Sequence, residues 1–219
     1  MFDYIKSIFN YTMRALHLDN SYDPIMLKDA CMNNDFNTIK MLMEKYNLQK
    51  EDIVNEIYWF ESAFNLACRH CDYETILFFI EKYNLNKEDI LRQDLLLGRT
   101  NLHVAICRHD DSINRFKIVE LLLTICINEN LQKKEFMLVD MFDHTILFEA
   151  ILRHQYDIVE LLINTGMVCK EDIIKENNSG ESAYNITSND ISMSIRKLFD
   201  EIMFMEDIDC TIKDIIILI

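Results

Sequence analysis

The sequence predicts an all-α protein built from about five repeated pairs of helices. The chain of 219 residues contains one proline and three glycines, a composition that favours long helical runs over turn-rich β structure. Apolar residues recur at helical spacing in short stretches. One phrase also recurs almost unchanged, since YNLQKEDI begins at Tyr46 and YNLNKEDI begins at Tyr83. Such a recurrence indicates a structural unit copied along the chain.

The copies can be followed along most of the sequence. The segment from Met26 aligns without a gap with the segment from Ala63, at an offset of 37 residues. Further copies start at Gly98 and Thr145, and a partial fifth copy starts at Glu181. Each copy contains two short helical stretches around a polar turn. Helices this short are marginal in isolation, so each pair is expected to pack against the next pair.

The predicted elements follow in chain order. Residues 1–20 form an amphipathic N-terminal capping helix. The repeat array covers residues 21–205, in units of about 21–57, 58–94, 95–139, 140–176 and 177–205. Residues 206–219, which include the apolar run DIIILI, form a C-terminal capping tail. The alternative for this tail is docking on a partner.

Two of the copies carry a family resemblance. GRTNLHVAICRHD from Gly98, followed by KIVELLL from Lys117, resembles the ankyrin repeat, with its Gly-x-Thr turn, Leu-His pair and Ile-Val-x-x-Leu-Leu second helix. HTILFEAILRHQYDIVELLINTG from His144 is similar. The resemblance covers roughly residues 21–202. It implies an ankyrin-repeat solenoid of helix-turn-helix units with capping helices at both ends.

The sequence departs from the family pattern at several positions. Asn101 and Ile146 stand where the family usually has proline, and only His103 keeps the histidine. Divergent stand-alone ankyrin proteins of this kind resemble those of large DNA viruses and intracellular pathogens. In those proteins the array engages host proteins.

The repeated phrase is predicted to be a connector between units. The unit exceeds the usual ankyrin period of about 33 residues, and the surplus falls at LNKEDI. Asn86 is expected to cap a short helix whose first turn is acidic, while Leu85 and Ile90 anchor it to the core. The corresponding cap positions hold Gln49 and Cys169. This variation favours a structural connector over a functional motif.

The charge balance predicts the class of partner. With 22 Lys and Arg against 37 Asp and Glu, the formal charge is −15, which disfavours nucleic-acid binding. A partner protein with a basic patch fits this charge, although an acidic surface also serves solubility. Neither a signal peptide nor a membrane span is predicted. The expectation is a protein that is monomeric alone, without nucleic acid or membrane as partner.

The cysteines predict a reducing compartment. Their number is odd, and they lie at apolar helical positions, so reduced and buried thiols are expected. This predicts a cytoplasmic or nuclear location, which is the host cell interior if the protein is viral. The cysteines are residues 31, 68, 71, 107, 126, 169 and 210.

The sequence indicates no catalytic chemistry. Cys68, His70 and Cys71 form a CRHC motif, but two further zinc ligands at recognisable spacing are missing, so core packing is favoured over a metal site. His103 and Thr100 resemble the ankyrin pair that bonds within the turn before the first helix. No catalytic triad, glycine-rich phosphate loop or metalloprotease motif is present. We predict no enzyme activity, no metal and no cofactor.

Three groups of residues are predicted to contact a partner. Trp59 lies at a predicted hairpin tip, where aromatic residues are often interface hot spots, although it can instead pack on the next hairpin. The insertion RHDDSINRF, from Arg108 to Phe116, lengthens the turn in the third unit and is predicted to be an exposed loop. The third group is the set of equivalent positions that follow the glycine position of each unit, which line the concave edge in the ankyrin arrangement. The predicted contact residues are Trp59, Glu61, Arg99, Asp110, Asp111, Arg115, His144 and Glu181.

The sequence therefore predicts a non-catalytic protein–protein interaction module. The array would hold a partner on its concave or hairpin face and mask or assemble it. One specific form is inhibition similar to that by IκB-like viral proteins, which hold Rel-type transcription factors. The alternative is a structural assembly subunit of a virion or larger complex.

Overall fold

The computed structural model describes residues 22–56, 61–108, 112–187 and 193–204. These ranges contain fourteen helices and no β-strand, so the predicted all-α class is confirmed. The predicted capping helix (residues 1–20) and capping tail (residues 206–219) lie outside them. The helices are α1 (Pro24–Met32), α2 (Phe36–Lys45), α3 (Lys50–Val54), α4 (Ala63–His70), α5 (Tyr73–Tyr83), α6 (Lys87–Ile90), α7 (Asn101–Ile106), α8 (Ser112–Asn128), α9 (Lys133–Phe136), α10 (Ile146–Leu152), α11 (Tyr156–Asn164), α12 (Lys170–Ile174), α13 (Ala183–Ile186) and α14 (Met193–Phe204).

The helices contact one another in a regular order. The first helices of the predicted units are α1, α4, α7, α10 and α13, and each packs on the next one along the chain. The second helices α5, α8, α11 and α14 contact in the same order. The short helices α3, α6, α9 and α12 connect one pair to the next. The main contacts thus join helices of the same unit or of consecutive units.

The first helices from α4 onward begin with a hydroxyl N-cap. In each case the side-chain oxygen accepts a hydrogen bond from the backbone N–H three residues later, which satisfies one of the free donors at the helix start. The four caps and their distances are Ser62 (3.0 Å), Thr100 (3.3 Å), Thr145 (3.2 Å) and Ser182 (3.1 Å).

An Asn-Leu step follows the second helices α2, α5 and α8. Asn47, Asn84 and Asn130 adopt left-handed backbone conformations, with φ of 47°, 47° and 62°. Asparagine tolerates this region better than most residues do. The leucine that follows each asparagine is buried. The step therefore reverses the chain and anchors it in the core.

Small residues allow the first helices to approach closely. Ala30, Ala67, Ala105 and Ala150 are all buried, at equivalent places in α1, α4, α7 and α10. Their side chains add little volume between the helix axes, and larger apolar residues on the second helices fill the space behind them. The core is consequently one continuous layer that passes from unit to unit.

The predicted connector is confirmed and occurs four times rather than three. At each N-cap, the backbone N–H donates to the acidic side chain three residues later. The pairs are Gln49 with Asp52 (2.8 Å), Asn86 with Asp89 (2.9 Å), Gln132 with Glu135 (2.7 Å) and Cys169 with Asp172 (2.8 Å). Sequence comparison missed the copy at Gln132 because it reads KKEF instead of KEDI.

The first lysine of a connector reaches the acidic residue of the following connector. Lys50 Nζ lies 2.5 Å from Asp89 Oδ2, and Lys87 Nζ lies 3.1 Å from Glu135 Oε2. Lys133 forms the same ion pair with Asp172. The lysine and the acid of the phrase therefore serve different units, which explains why both recur.

The turns between paired helices also link consecutive units. A side chain in each turn donates to the carbonyl oxygen near the end of the preceding first helix. These bonds are Cys71 Sγ to Cys31 O (3.2 Å), Arg108 Nη1 to Cys68 O (2.9 Å) and Gln155 Nε2 to Ile106 O (2.7 Å).

The insertion in the third unit is mostly helical, so the predicted exposed loop is wrong in part. Helix α8 already begins at Ser112, and its 17 residues make it the longest helix described. The residues from Ser112 to Phe116 therefore extend the second helix toward its N-terminus. Counting residues between two aligned positions locates an insertion but does not show whether it adds helix or loop.

The described cysteines are free thiols. Five of them (residues 31, 68, 71, 107 and 126) are buried and Cys169 is partly buried, as predicted for reduced core residues. Cys210 lies outside the described residues.

Candidate interaction site

Three hairpins lead from a connector to the next first helix, and we call them together the hairpin row. They are residues 94–99, 140–144 and 177–181. In each hairpin, the first residue donates its backbone N–H to the carbonyl of the last. These bonds are Asp94 to Arg99 (2.9 Å), Asp140 to His144 (3.0 Å) and Asn177 to Glu181 (2.8 Å).

The first residue of each hairpin also organises the turn with its side chain. Asp94 Oδ1 accepts from the backbone N–H of Leu96 at 2.9 Å and of Leu97 at 2.6 Å. Asp140 Oδ1 accepts from the N–H of Phe142 and of His144, at 2.9 and 3.0 Å. Such side-chain bonds to the backbone define the conformation of a tight turn. Both aspartates are buried.

Neighbouring hairpins touch through their backbones. The N–H of Met141 donates to the carbonyl of Leu97 at 2.8 Å, and the N–H of Asn178 donates to that of Phe142 at 3.4 Å. Glu56 Oε1, from the preceding unit, accepts from the N–H of Leu95 at 2.8 Å. The turns are thus joined side by side into one surface.

The Thr100–His103 pair predicted from the sequence is present at the base of the hairpin row. Thr100 Oγ1 lies 2.8 Å from His103 Nδ1, and His103 Nε2 lies 3.1 Å from the carbonyl oxygen of His144. Burial lowers the pKa of His103 from 6.5 to about 4. A neutral imidazole in this position ties one hairpin to the next.

A buried cluster of charged residues lies behind the hairpins, centred on Glu149. Its Oε1 accepts from Cys107 Sγ at 2.8 Å and from Arg153 Nε at 2.9 Å. Arg99 Nη2 lies 3.6 Å from the same oxygen, while Arg99 Nε lies 3.3 Å from Asp140 Oδ2. Arg99 therefore joins the carboxylates of two elements.

The cluster has the electrostatics of a structural core and does not activate a nucleophile. Burial opposes ionisation of Glu149, but its bond from Cys107 and the charges of Arg153 and Arg99 outweigh burial and lower its pKa. Burial and the neighbouring Glu149 carboxylate raise the pKa of Cys107 to about 12. The thiolate is the reactive form of cysteine, so Cys107 stays an unreactive thiol at neutral pH.

The structure brings two of the predicted contact residues together at this cluster. His144 stacks on Phe148, with ring centroids 4.5 Å apart, and its Nδ1 lies 3.3 Å from Glu149 Oε2. Arg99 pairs with Glu149 from the preceding hairpin. Both side chains are mostly buried, at 16% and 13% exposure. Both side chains stabilise the hairpins, and little of their surface is accessible to a partner.

The other predicted contact residues are dispersed. Glu61 forms an ion pair with Arg69, and Glu181 is exposed on the last hairpin. Arg115 donates to the carbonyl of Arg108, beyond the opposite end of α7, and is not part of the hairpin row. Trp59, Asp110 and Asp111 lie outside the described residues.

The CRHC motif lies partly in the core. Cys68 and Cys71 are buried, whereas His70 is exposed. Across the part of the chain that the structure describes, no group of three or more His, Cys, Asp or Glu residues could hold a metal ion.

Sequence reasoning missed the charged cluster and the exposed apolar residues of the hairpin tips. The spacing of Glu149 and Arg153, four residues apart on one helix, was a readable signal for one ion pair. The contact of Arg99 with Glu149 carried no such signal, because the two residues are distant in sequence. The Leu95–Leu97 run after Asp94 was a readable sign of an apolar hairpin tip.

No protein-family model matches the sequence. A search of curated proteins finds no significant match. Among the described helices, none combines the length and hydrophobicity needed to cross a bilayer.

Proposed function

We propose that this protein is a non-catalytic protein–protein interaction module of the ankyrin-repeat type, which holds a partner protein on its hairpin row. The observation that carries the proposal is the row itself. Three turns, each closed by a backbone hydrogen bond from its first residue to its last, lie side by side and are joined by backbone contacts from Leu97 to Met141 and from Phe142 to Asn178.

The proposal gains support from the way consecutive units are coupled. Connectors, turns and hairpins each make a separate series of contacts from one unit to the next. These three series of contacts fix the binding surface before a partner arrives. A preorganised surface of this kind loses less conformational entropy on binding. The charge of −15 favours a partner with a basic patch.

The chemistry of the buried cluster also favours binding over catalysis. The cluster thiol is protonated, the cluster carboxylates pair with arginines, and the His103 imidazole at the base of the hairpin row is neutral. A catalytic site needs a nucleophile or base with a matched pKa that a substrate can reach. Masking or assembly of the bound partner is the mechanism that we propose.

Affinity capture followed by reconstitution tests the proposal. The full-length protein is immobilised, retained proteins are identified by mass spectrometry, and each is purified and titrated against the free protein by calorimetry. We expect at least one direct partner whose binding weakens in Glu181→Lys, on the hairpin row. The matched control is Glu44→Lys, which makes the same charge change at an exposed position on α2.

Two results would contradict the proposed function. One is the absence of any protein that binds directly after purification. The other is a direct partner whose affinity changes equally in both variants. Permanent self-assembly at micromolar concentration, measured by light scattering, would favour the structural-subunit alternative.

A further inference from the structure

Four large apolar side chains are exposed at the tips of two adjacent hairpins, and we call them the tip patch. They are Leu95 (78% exposed), Leu96 (64%), Met141 (55%) and Phe142 (45%). The bond between Met141 N and Leu97 O holds the two tips together, at 2.8 Å. Contiguous exposed apolar surface of this kind marks interaction sites in soluble proteins.

The fold itself does not require apolar residues at these tips. The third hairpin has Asn178, Ser179 and Gly180 at its tip. Its turn is closed in the same way, since Asn177 Oδ1 accepts from Ser179 N at 2.8 Å and from Glu181 N at 3.0 Å. Polar residues therefore satisfy the same turn geometry. The stability of the turn therefore does not explain why the residues of the tip patch are apolar.

Hydrogen bonds to buried side chains fix the backbone of the two hairpins that carry the tip patch. Besides the bonds from Asp94 and Asp140 to the turns, Arg99 N donates to Asp94 Oδ2 at 3.3 Å, while its Nε lies 3.3 Å from Asp140 Oδ2. One arginine thus links the supports of both tips. Apolar side chains on a rigid backbone lose little conformational freedom when they are covered.

Charges of both signs occur near the tip patch, since Lys28 and Arg92 lie near Glu56 and Arg99 pairs with Asp140 beneath the tips, but the groups that adjoin the patch itself are acidic. Glu56 Oε1 accepts from the N–H of Leu95, Asp143 belongs to the same turn as Phe142, and Glu181 is exposed on the adjoining hairpin. A second copy of the chain would bring the same acidic groups and its own charge of −15 against them. Charge complementarity therefore selects a basic occupant.

We infer that the tip patch binds a segment of a partner protein in which large apolar side chains are flanked by lysine or arginine. This inference rests on the proposed protein-binding function and names the chemistry of the partner. The apolar side chains of the segment cover Leu95, Leu96, Met141 and Phe142. Its basic side chains face Glu56, Asp143 and Glu181.

Selection from a phage-displayed library of random peptides tests the inference, with the full-length protein as bait. Enriched peptides are synthesised with a fluorescent label and titrated by fluorescence anisotropy. We expect peptides rich in both apolar and basic residues. The double variant Leu95→Ser with Phe142→Ser should weaken their binding by about tenfold or more. The matched control, Asn178→Ala with Ser179→Ala at the polar tip, should change it less than about twofold.

Several results would overturn the inference. Enriched peptides that bind both double variants equally place the site elsewhere and leave the protein-binding function standing. Enriched peptides without basic residues, or no enriched peptide at all, contradict the stated chemistry. A dimer in light scattering that the Leu95→Ser and Phe142→Ser variant dissociates would identify a second copy as the occupant. Failure of the proposed function is separate, because it appears as the absence of any directly bound protein in the capture experiment.

Discussion

His103 is a buried residue whose ionisation affects the balance between the folded and unfolded chains. Its imidazole accepts from Thr100 on one side and bonds the carbonyl of His144 on the other, and it is 1% exposed. Only the neutral ring fits both bonds, since Nδ1 accepts and Nε2 donates. The lowered pKa follows from this burial.

The predicted consequence is a loss of stability in mild acid. Between pH 6.5 and about 4, the unfolded chain binds a proton at His103 that the folded protein does not bind. The contribution of His103 is complete above pH 6.5 and falls as the pH drops, by up to about 1.4 kcal/mol per pH unit. Urea unfolding at several pH values measures this slope.

The control for this prediction is His103→Gln, which keeps hydrogen-bonding groups but does not titrate. His70, whose pKa burial also lowers, is present in both proteins, so the difference isolates His103. The slope of unfolding free energy with pH should be shallower in the variant. Equal slopes in the two proteins would show that folding does not lower the pKa of His103.

At the scale of single elements, the connectors combine a helix cap with an ion pair between units. Asp89 accepts from the backbone N–H of Asn86 and also pairs with Lys50 of the preceding connector. Its side chain is 7% exposed, against 30% for Lys50, so solvent screens the pair only in part. The acidic residue of this connector therefore caps its own helix and also forms an ion pair with the preceding unit.

A double-mutant cycle of Lys50→Met and Asp89→Asn measures the coupling energy of this ion pair. We expect a coupling energy of about 0.5–1 kcal/mol in the free energy of unfolding, and a smaller value at high salt. Lys170→Met serves as the comparison, because Lys170 begins the last described connector and is exposed. A coupling energy of zero would mean that the ion pair between the connectors does not contribute.

Local signals in the sequence were sufficient for the caps and connectors, but contacts between distant residues were not predictable. Asn86, Asp89 and the hydroxyl of Thr100 act on backbone groups within three residues, so their spacing reveals their role. The pairing of Lys50 with Asp89 depends on how two units pack. The connector copy at Gln132 was missed for a different reason. Its cap geometry is preserved, but its residues differ from those of the other copies.

The positions of the hairpin residues could be predicted from the repeat, but the burial and contacts of their side chains could not. The repeat alignment identified Arg99, His144 and Glu181 as equivalent residues, and the structure gives each of them the same backbone bond. Their side chains differ in role because Arg99 and His144 turn toward Glu149, whereas Glu181 is exposed. Burial is a property of the packed structure, which a single sequence does not display.

At the scale of the whole molecule, the central claim is that each unit is held mainly by its immediate neighbours. The first helices contact in chain order, and the three series of contacts between units all run from one unit to the next. In such an array, damage in one unit spreads to the adjoining units and weakens with distance. A bundle with interleaved segments would lose stability as a whole.

Native-state hydrogen exchange of Leu147→Ala tests this claim most directly. Leu147 is fully buried in α10, and its truncation should cost about 2–5 kcal/mol. The account predicts faster exchange in α10 and in the adjoining helices α7 and α13, with wild-type protection retained in α1 and α2. Equal loss of protection in all these helices, including α1 and α2, would contradict it.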